Sequence, residues 1–120
     1  MPDPATPGGL FGVHGAALVL RSRRLGLIAS NIANAATPGF KARDIDFAAA
    51  LRSADAGSGT DRAAATATRF RMPVMPALDG NTVELGVEQV AFAETAVGYS
   101  ATLAFIQGRV DTIKRALKGE

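Results

Sequence analysis

The sequence has no cysteine and no tryptophan, and its 120 residues include a single tyrosine and a single histidine. Without cysteine, neither a disulfide nor a thiolate metal site can form within the chain. The one histidine, His14, has no cysteine or second histidine to work with, so we interpret it as a packed helix residue rather than a general base. No serine stands in the Gly-x-Ser-x-Gly pattern of a nucleophile elbow. The sequence therefore predicts no catalytic residue, no metal site and no cofactor.

Large side chains and an excess of one charge are also scarce. Apolar residues make up 48% of the chain, but many of them are alanine, and aromatic residues make up 6%. With so few large side chains in its core, an isolated monomer of this size is expected to be only marginally stable. No apolar run is long enough to span a membrane. The net charge is +2, and we interpret the densest basic cluster, Arg21, Arg23 and Arg24, as a solvated helix face. Neither a nucleic acid nor a small-molecule substrate is therefore expected as a partner.

The first nine residues are rich in proline and glycine and predict a flexible N-terminal arm, 1–9. They contain no basic region followed by an apolar stretch, so no Sec-type signal peptide is expected. If the protein leaves the cytoplasm, we expect it to do so without cleavage of the chain.

Residues 10–36 have the pattern of a coiled-coil helix. Phe11, Leu18, Leu25 and Ile32 recur every seven residues, and Ile28 falls on the same face. Thr37-Pro38-Gly39 then stops the helix, because proline lacks an N–H and glycine accepts a left-handed turn.

Residues 37–82 predict a turn followed by a flexible middle loop. The stretch from Phe40 to Leu51 could pack as a short hairpin, and we interpret Asp44 and Asp46 within it as turn-capping groups. Residues 53–68 contain no large apolar side chain, so they are expected to be mobile.

The second long helix is predicted at 83–118. We interpret Asn81 and Glu84 as its capping box, and Gly98 and Gly108 as points of close contact with a neighbouring helix. This helix carries a second apolar stripe. The first helix cannot cover both stripes, so neighbouring subunits are expected to cover the second one. It comprises Val83, Val87, Val90, Val97, Ala101 and Ala104.

The fold class follows from these patterns: a mainly α, single-domain chain. Its long N- and C-terminal helices form an antiparallel, coiled-coil-like hairpin, with a flexible loop or a short β-hairpin between them. The apolar positions at four-three spacing form the predicted assembly seam. Its members are Leu18, Leu25, Ile28, Ile32, Phe92, Tyr99, Leu103, Ile106, Val110, Ile113 and Leu117.

The sequence at the end of the first helix is more specific than a helix stop requires, and this pattern predicts a docking motif. The motif consists of Asn31, Ile32, Ala33, Asn34, Thr37, Pro38, Gly39 and Phe40. Together with Leu10-Phe11 and the flanking stretch 25–47, it resembles the N-terminal signature of bacterial flagellar rod, hook and hook-associated axial proteins. The short chain, Lys41–Phe47 and the segment 79–85 are similar to the proximal-rod branch of that superfamily.

The resemblance implies a structural role rather than an enzymatic one. Such proteins are exported unfolded through the flagellar type III apparatus without a cleaved signal. They polymerise helically on the export gate and the membrane-supramembrane ring, begin the periplasmic rod and transmit torque. The implied partners are copies of the chain, other rod proteins, the gate and the ring. By resemblance, the docking motif would shape and dock its turn, and the seam from Phe92 to Leu117 would form the subunit core. Ala36 stands where the family often has an acidic residue, so no salt bridge is expected there.

Three alternatives stay open. A neighbouring rod subunit type differs mainly in length and in the residues around 79–85. A small basic helical protein would bind nucleic acid in a salt-sensitive way. An export chaperone would be a stable dimer that releases a client. The docking motif speaks against the last two, because neither requires it.

Overall fold

A computed structural model describes residues 11–119, and the predicted flexible arm lies outside the described residues. Helix α1 spans Gly12–Ala33 and helix α4 spans Leu85–Lys118. Between them lie strand β1 (Arg43–Ile45), helix α2 (Phe47–Ser53), a π-helical turn (Ala54–Ser58), helix α3 (Thr60–Ala67) and strand β2 (Thr68–Phe70). The molecule is elongated, with extents of 64 × 26 × 20 Å. The expected mainly α fold with two long terminal helices is confirmed.

Helices α1 and α4 pack antiparallel along their length. The ring of His14 lies 4.3 Å from that of Phe105, centroid to centroid. Farther along the pair, Arg21 lies against Gly98. At the far end, the side chains of α1 and α4 meet through Asn31. The pairing confirms the predicted hairpin and places His14 in a packed position, as expected.

Helix α1 ends at Ala33, three residues before the predicted boundary at residue 36. The Asn34 N–H is shared between the carbonyls of Ser30 and Asn31, and the backbone leaves helical geometry at Asn34. The Asn34 amide also donates to the Ser30 carbonyl at 2.8 Å, a local bond that competes with continuation of the helix.

Residues 53–68, expected to be mobile, instead form most of an ordered helical unit. Ala50, Ala54, Ala63, Ala64 and Ala67 are buried against Ala16, Leu20 and Ile45. The prediction counted only large side chains, but alanine lets helix backbones approach closely and still buries apolar surface. Phe47 and Leu51 cover the edge of this cluster.

A two-stranded antiparallel sheet closes the middle of the chain. Arg43 pairs with Phe70 and Ile45 with Thr68. A small sheet is therefore present in the middle of the chain, but the hairpin expected between Phe40 and Leu51 is wrong, because the second strand is Thr68–Phe70 and residues 46–67 connect the strands mostly as helices. Asp46 caps α2 by accepting from the Ala49 N–H at 3.1 Å, which confirms its predicted capping role.

Helix α4 packs on α1 through a face that is rotated from the predicted seam. The buried residues are Glu88, Ala91, Thr95 and Ile106, so in its first half the contact runs one residue N-terminal to the seam. Small side chains at this face let the helices approach, and a Cβ at Gly98 would lie 2.6 Å from Nη1 of Arg21. Gly98 is thus a close-contact point, whereas a Cβ at Gly108 would meet nothing within 4 Å, so Gly108 is not a close-contact point within the described chain.

The seam residues differ widely in exposure. Ile28 and Ile106 are buried, and Leu18, Leu25, Ile32, Tyr99, Leu103 and Val110 are half-buried. Phe92 and Ile113 are exposed, and Leu117 is 83% exposed. Much of the seam therefore presents apolar surface that the described chain leaves uncovered.

Candidate assembly site

Asn31, the first residue of the docking motif, points into the molecule rather than toward a neighbour. Its Nδ2 donates to the Arg43 carbonyl at 2.7 Å and to Oε2 of Glu88 at 2.9 Å, while its Oδ1 accepts from the Arg43 N–H at 3.1 Å. One buried amide thereby satisfies both backbone groups of Arg43 and joins α1, β1 and α4.

An ion network surrounds this amide. Arg24 makes a bidentate contact with Asp44, at 2.8 and 2.9 Å, and Arg71 forms ion pairs with both Asp44 and Glu88. The hydrogen bonds to Asp44 raise the pKa of Arg24 above its ordinary value, so this side chain stays charged. The predicted turn-capping role of Asp44 is therefore wrong, because the carboxylate mainly neutralises the guanidinium groups of Arg24 and Arg71.

The arginines of α1 are not the solvated face that the sequence predicted. The guanidinium of Arg21 lies 4.2 Å from the centre of the Phe47 ring, and Arg23 pairs with Asp61 of α3. With Arg24 bound to Asp44, all three side chains fasten α1 to the middle segment. Their spacing predicted a face but could not show which acidic and aromatic groups the fold brings to it.

The turn after α1, residues 34–40, is built from the rest of the docking motif. The Thr37 hydroxyl donates to Oδ1 of Asn34 at 3.0 Å, and the Phe40 N–H donates to the Thr37 carbonyl. Gly39 has a φ of 75°, the left-handed conformation that glycine adopts without strain. Ala33 and residues 36–39 are exposed, so the tip of the turn faces solvent.

Asn81 completes the end of α1 from a distant part of the chain. Its Nδ2 lies 2.9, 3.1 and 2.8 Å from the carbonyl oxygens of Asn34, Ala35 and Thr37. These carbonyls follow a helix end, where backbone acceptors lack intrahelical partners. The predicted capping box is wrong, because Glu84 is the N-cap position of α4 without a side-chain bond, and its Oε1 accepts instead from Val74.

A second face of α4 is apolar and open. Val87, Val90 and Val97 are 46%, 58% and 70% exposed. Ala101 and Ala104 continue the same face and are exposed as well. We call these five residues the outer stripe, and they confirm that α1 leaves this part of the predicted second stripe uncovered. The sixth predicted residue, Val83, lies before α4 and is half-buried.

Sites for other chemistry do not emerge among residues 11–119. In that range no group of histidine, cysteine or acidic residues is arranged to hold a metal ion. No described helix combines the length and apolarity that crossing a membrane requires. The geometry found is that of a subunit with ordered polar contacts inside and apolar surface outside.

Comparison with known proteins points to one family. Residues 11–41 match the family model described as flagella basal body rod protein. The flagellar basal body rod protein FlgB of Cereibacter sphaeroides is 50% identical, with 92% of this chain and 94% of that protein aligned. The FlgB proteins of Aeromonas hydrophila and Escherichia coli K12 are 39% and 37% identical, with 92% and 85% of this chain aligned.

Proposed function

Because this chain belongs to the FlgB family of flagellar basal body rod proteins, a family of structural subunits, we propose that it assembles into the proximal rod through its two long helices. The family relation makes it a structural subunit of the flagellar basal body rod. The mode of assembly is inferred from the surface that the chain leaves open.

The outer stripe of α4 carries the proposal. Its five residues form an apolar face, interrupted by the exposed Glu94, on a helix 34 residues long. Helix α1 occupies a different face of α4, so the outer stripe can be covered only from outside the pair. Apolar faces of this kind mark contacts with other proteins. A copy of the chain or another rod protein, packed helix against helix, would bury it.

The predicted seam supports the same arrangement. Phe92, Ile113 and Leu117 are exposed on α4. Their side of the helix is rotated about the helix axis from the outer stripe by more than about 100°, the rotation of one residue. Two apolar directions on one helix allow each subunit to contact more than one neighbour, as a helical polymer requires. We propose that the docking motif lies at such a contact through the exposed tip of its turn.

The remaining roles are proposed on the family relation. The partners would be copies of the chain, other rod proteins, the export gate and the membrane-supramembrane ring. The location would be the periplasmic part of the basal body, reached through the flagellar export apparatus without a cleaved signal, and the subunit would transmit torque and carry no catalytic activity. The arginine cluster no longer supports the alternative of nucleic-acid binding, because Arg21, Arg23 and Arg24 contact groups within the chain.

The test places a charge in the outer stripe. We expect Val97→Asp to leave thermal unfolding of the purified chain unchanged, because Val97 is 70% exposed, and to abolish swimming and rod formation in cells lacking their own copy of the protein. Gln107→Asp is the matched control, since Gln107 is exposed on another face of α4. Normal rods with Val97→Asp would refute assembly through the outer stripe.

A further inference from the structure

The segment Asp79–Thr82, just before α4, runs alongside the docking motif. The Gly39 N–H donates to the Asp79 carbonyl at 2.9 Å, and the Thr82 N–H donates to the Phe40 carbonyl at 2.9 Å. The Thr82 hydroxyl accepts from the Ala42 N–H at 2.8 Å. We call Asp79–Thr82 the clasp, because it holds the chain that leaves the turn.

Asn81 is the centre of the clasp. Its side chain is buried, its Nδ2 faces the three carbonyls at the end of α1, and its Oδ1 accepts from the Val83 N–H at 2.7 Å. Its own N–H is held by Oδ1 of Asp79 at 3.0 Å. Each polar atom of the Asn81 side chain is therefore used: Nδ2 binds the turn, and Oδ1 binds the segment that leads into α4.

We propose that Asn81 is a positioning residue for rod assembly, which shapes the turn 34–40 so that its exposed tip can contact a neighbouring subunit. The inference rests on the proposed function, since it assigns the turn to an assembly contact. Asn81 would not touch the neighbour itself, because its side chain lies beneath the turn while Thr37, Pro38 and Gly39 face outward.

The arrangement makes the turn conditional on the second half of the chain. The clasp lies only a few residues before the first residue of α4, Leu85, so a displacement of α4 from α1 also pulls Asn81 away from the three carbonyls. The Nζ of Lys41, which lies 2.5 Å from the Gly80 carbonyl, reinforces the same junction. The turn would therefore hold its assembly shape only while the hairpin is closed.

Hydrogen exchange on the purified full chain tests the clasp directly. In Asn81→Ala we expect the amides of Gly39, Phe40 and Thr82 to lose about tenfold or more of their protection, the effect of losing roughly one hydrogen-bond equivalent. The Ala63 amide, bonded to Gly59 in the middle segment, should keep its protection. Asn81→Asp keeps the size and the acceptor for Val83 but removes the donor, so the same loss is expected.

A matched control removes a side-chain hydrogen bond elsewhere. Thr112→Ala deletes the exposed bond from Thr112 to the Gly108 carbonyl and should leave the protection of the turn unchanged. If Asn81→Ala lowers the protection of Ala63 as well, Asn81→Ser, which keeps one donor, takes its place and is judged by the same amides. Unchanged protection of the turn amides would overturn the clasp.

A swimming assay distinguishes a positioning role of Asn81 in assembly from a role in stability alone. Asn81→Ala should reduce swimming although the chain stays folded at the growth temperature, and adding it to Gly39→Ala, which strains the turn itself, should reduce swimming little further. Lost protection with normal swimming would overturn the assembly role of Asn81. The proposed function stands or falls separately on Val97→Asp, which leaves the clasp intact.

Discussion

Asn31 of α1 and Glu88 of α4 meet in the interior of the molecule, with Nδ2 of the amide 2.9 Å from Oε2 of the carboxylate. They are 1% and 0% exposed. Glu88 also pairs with Arg71, which in turn contacts Asp44. A single polar centre thus joins both long helices to strand β1 and to Arg71, the residue after β2, and it gives the hairpin a defined register where apolar contacts alone would allow sliding.

Removing the buried carboxylate should be costly. Glu88→Ala leaves the Arg71 guanidinium without one of its two counter-charges and the Asn31 amide without an acceptor. We expect a loss of about 3 kcal/mol in the free energy of unfolding, measured by urea denaturation at pH 7. Gln89→Ala, at the exposed neighbouring position, should change it by less than about 0.5 kcal/mol. A loss as small as that of the control would contradict the ionic role of Glu88.

Changing the amide to a carboxylate should destabilise the chain in a pH-dependent way. Asn31→Asp is nearly isosteric, but it places a second negative charge against Glu88 and removes the donor to the Arg43 carbonyl. We expect the unfolding midpoint in urea to fall well below that of the parent chain at pH 7. The difference should shrink toward pH 4, because protonation of the introduced carboxyl group relieves the repulsion. Ser30→Asp, at an exposed position, is the control. A pH-independent deficit would argue against the repulsion.

Two glycines of α4 should respond differently to alanine. Gly108→Ala should raise stability by about 1 kcal/mol, the gain in helix propensity, because nothing lies within 4 Å of the new Cβ. Gly98→Ala should gain much less, because its Cβ displaces the Arg21 guanidinium from the Phe47 ring. In an Arg21→Ala background the full gain at position 98 should return, and thermal unfolding of the four variants measures it. Equal gains at both positions in the parent chain would show that the Arg21 contact carries no cost.

The alanine cluster under α1 should reject larger side chains. Ala63→Leu forces a branched side chain into a position with 0% exposure, and we expect a loss of about 1–3 kcal/mol in the free energy of unfolding. Ala65→Leu, two residues along the same helix and exposed, should be close to neutral. Chemical denaturation of the two variants gives the comparison, and a neutral Ala63→Leu would mean that α3 does not pack as described.

Periodicity predicted the two long helices and their antiparallel pairing, because heptad spacing is a local signal that runs over many residues. It did not predict which face of α4 meets α1. The seam was assigned from large side chains such as Phe92 and Tyr99. The contact is formed instead by Ala91, Thr95 and Gly98, which let the helices approach. Close approach depends on small side chains that hydrophobicity counts undervalue.

The order of the middle segment was not predicted because its small side chains were undervalued in the same way. The contacts of the candidate site were not predicted because they join residues far apart in the chain. Residues 53–68 have no large apolar group, but their alanines pack against Leu20 and Ile45. Asn81 and Asn34 lie far apart in the chain, and nothing local shows that they meet. The Asp-Gly-Asn sequence at 79–81 marked a turn, but the helix end that it completes could be identified only from the fold.

The register of the hairpin is read at three levels: His14 against Phe105, Arg21 against Gly98, and Asn31 against Glu88. Deleting one residue of α4 between Glu88 and Gly98 would turn every later side chain by about 100° around the helix axis, so that only one end of the pair could stay in register. A change in the length of either long helix should therefore be more damaging than a substitution at an exposed position such as Gln89. Insertions and deletions should be tolerated better in the segments between the helices and beyond their ends.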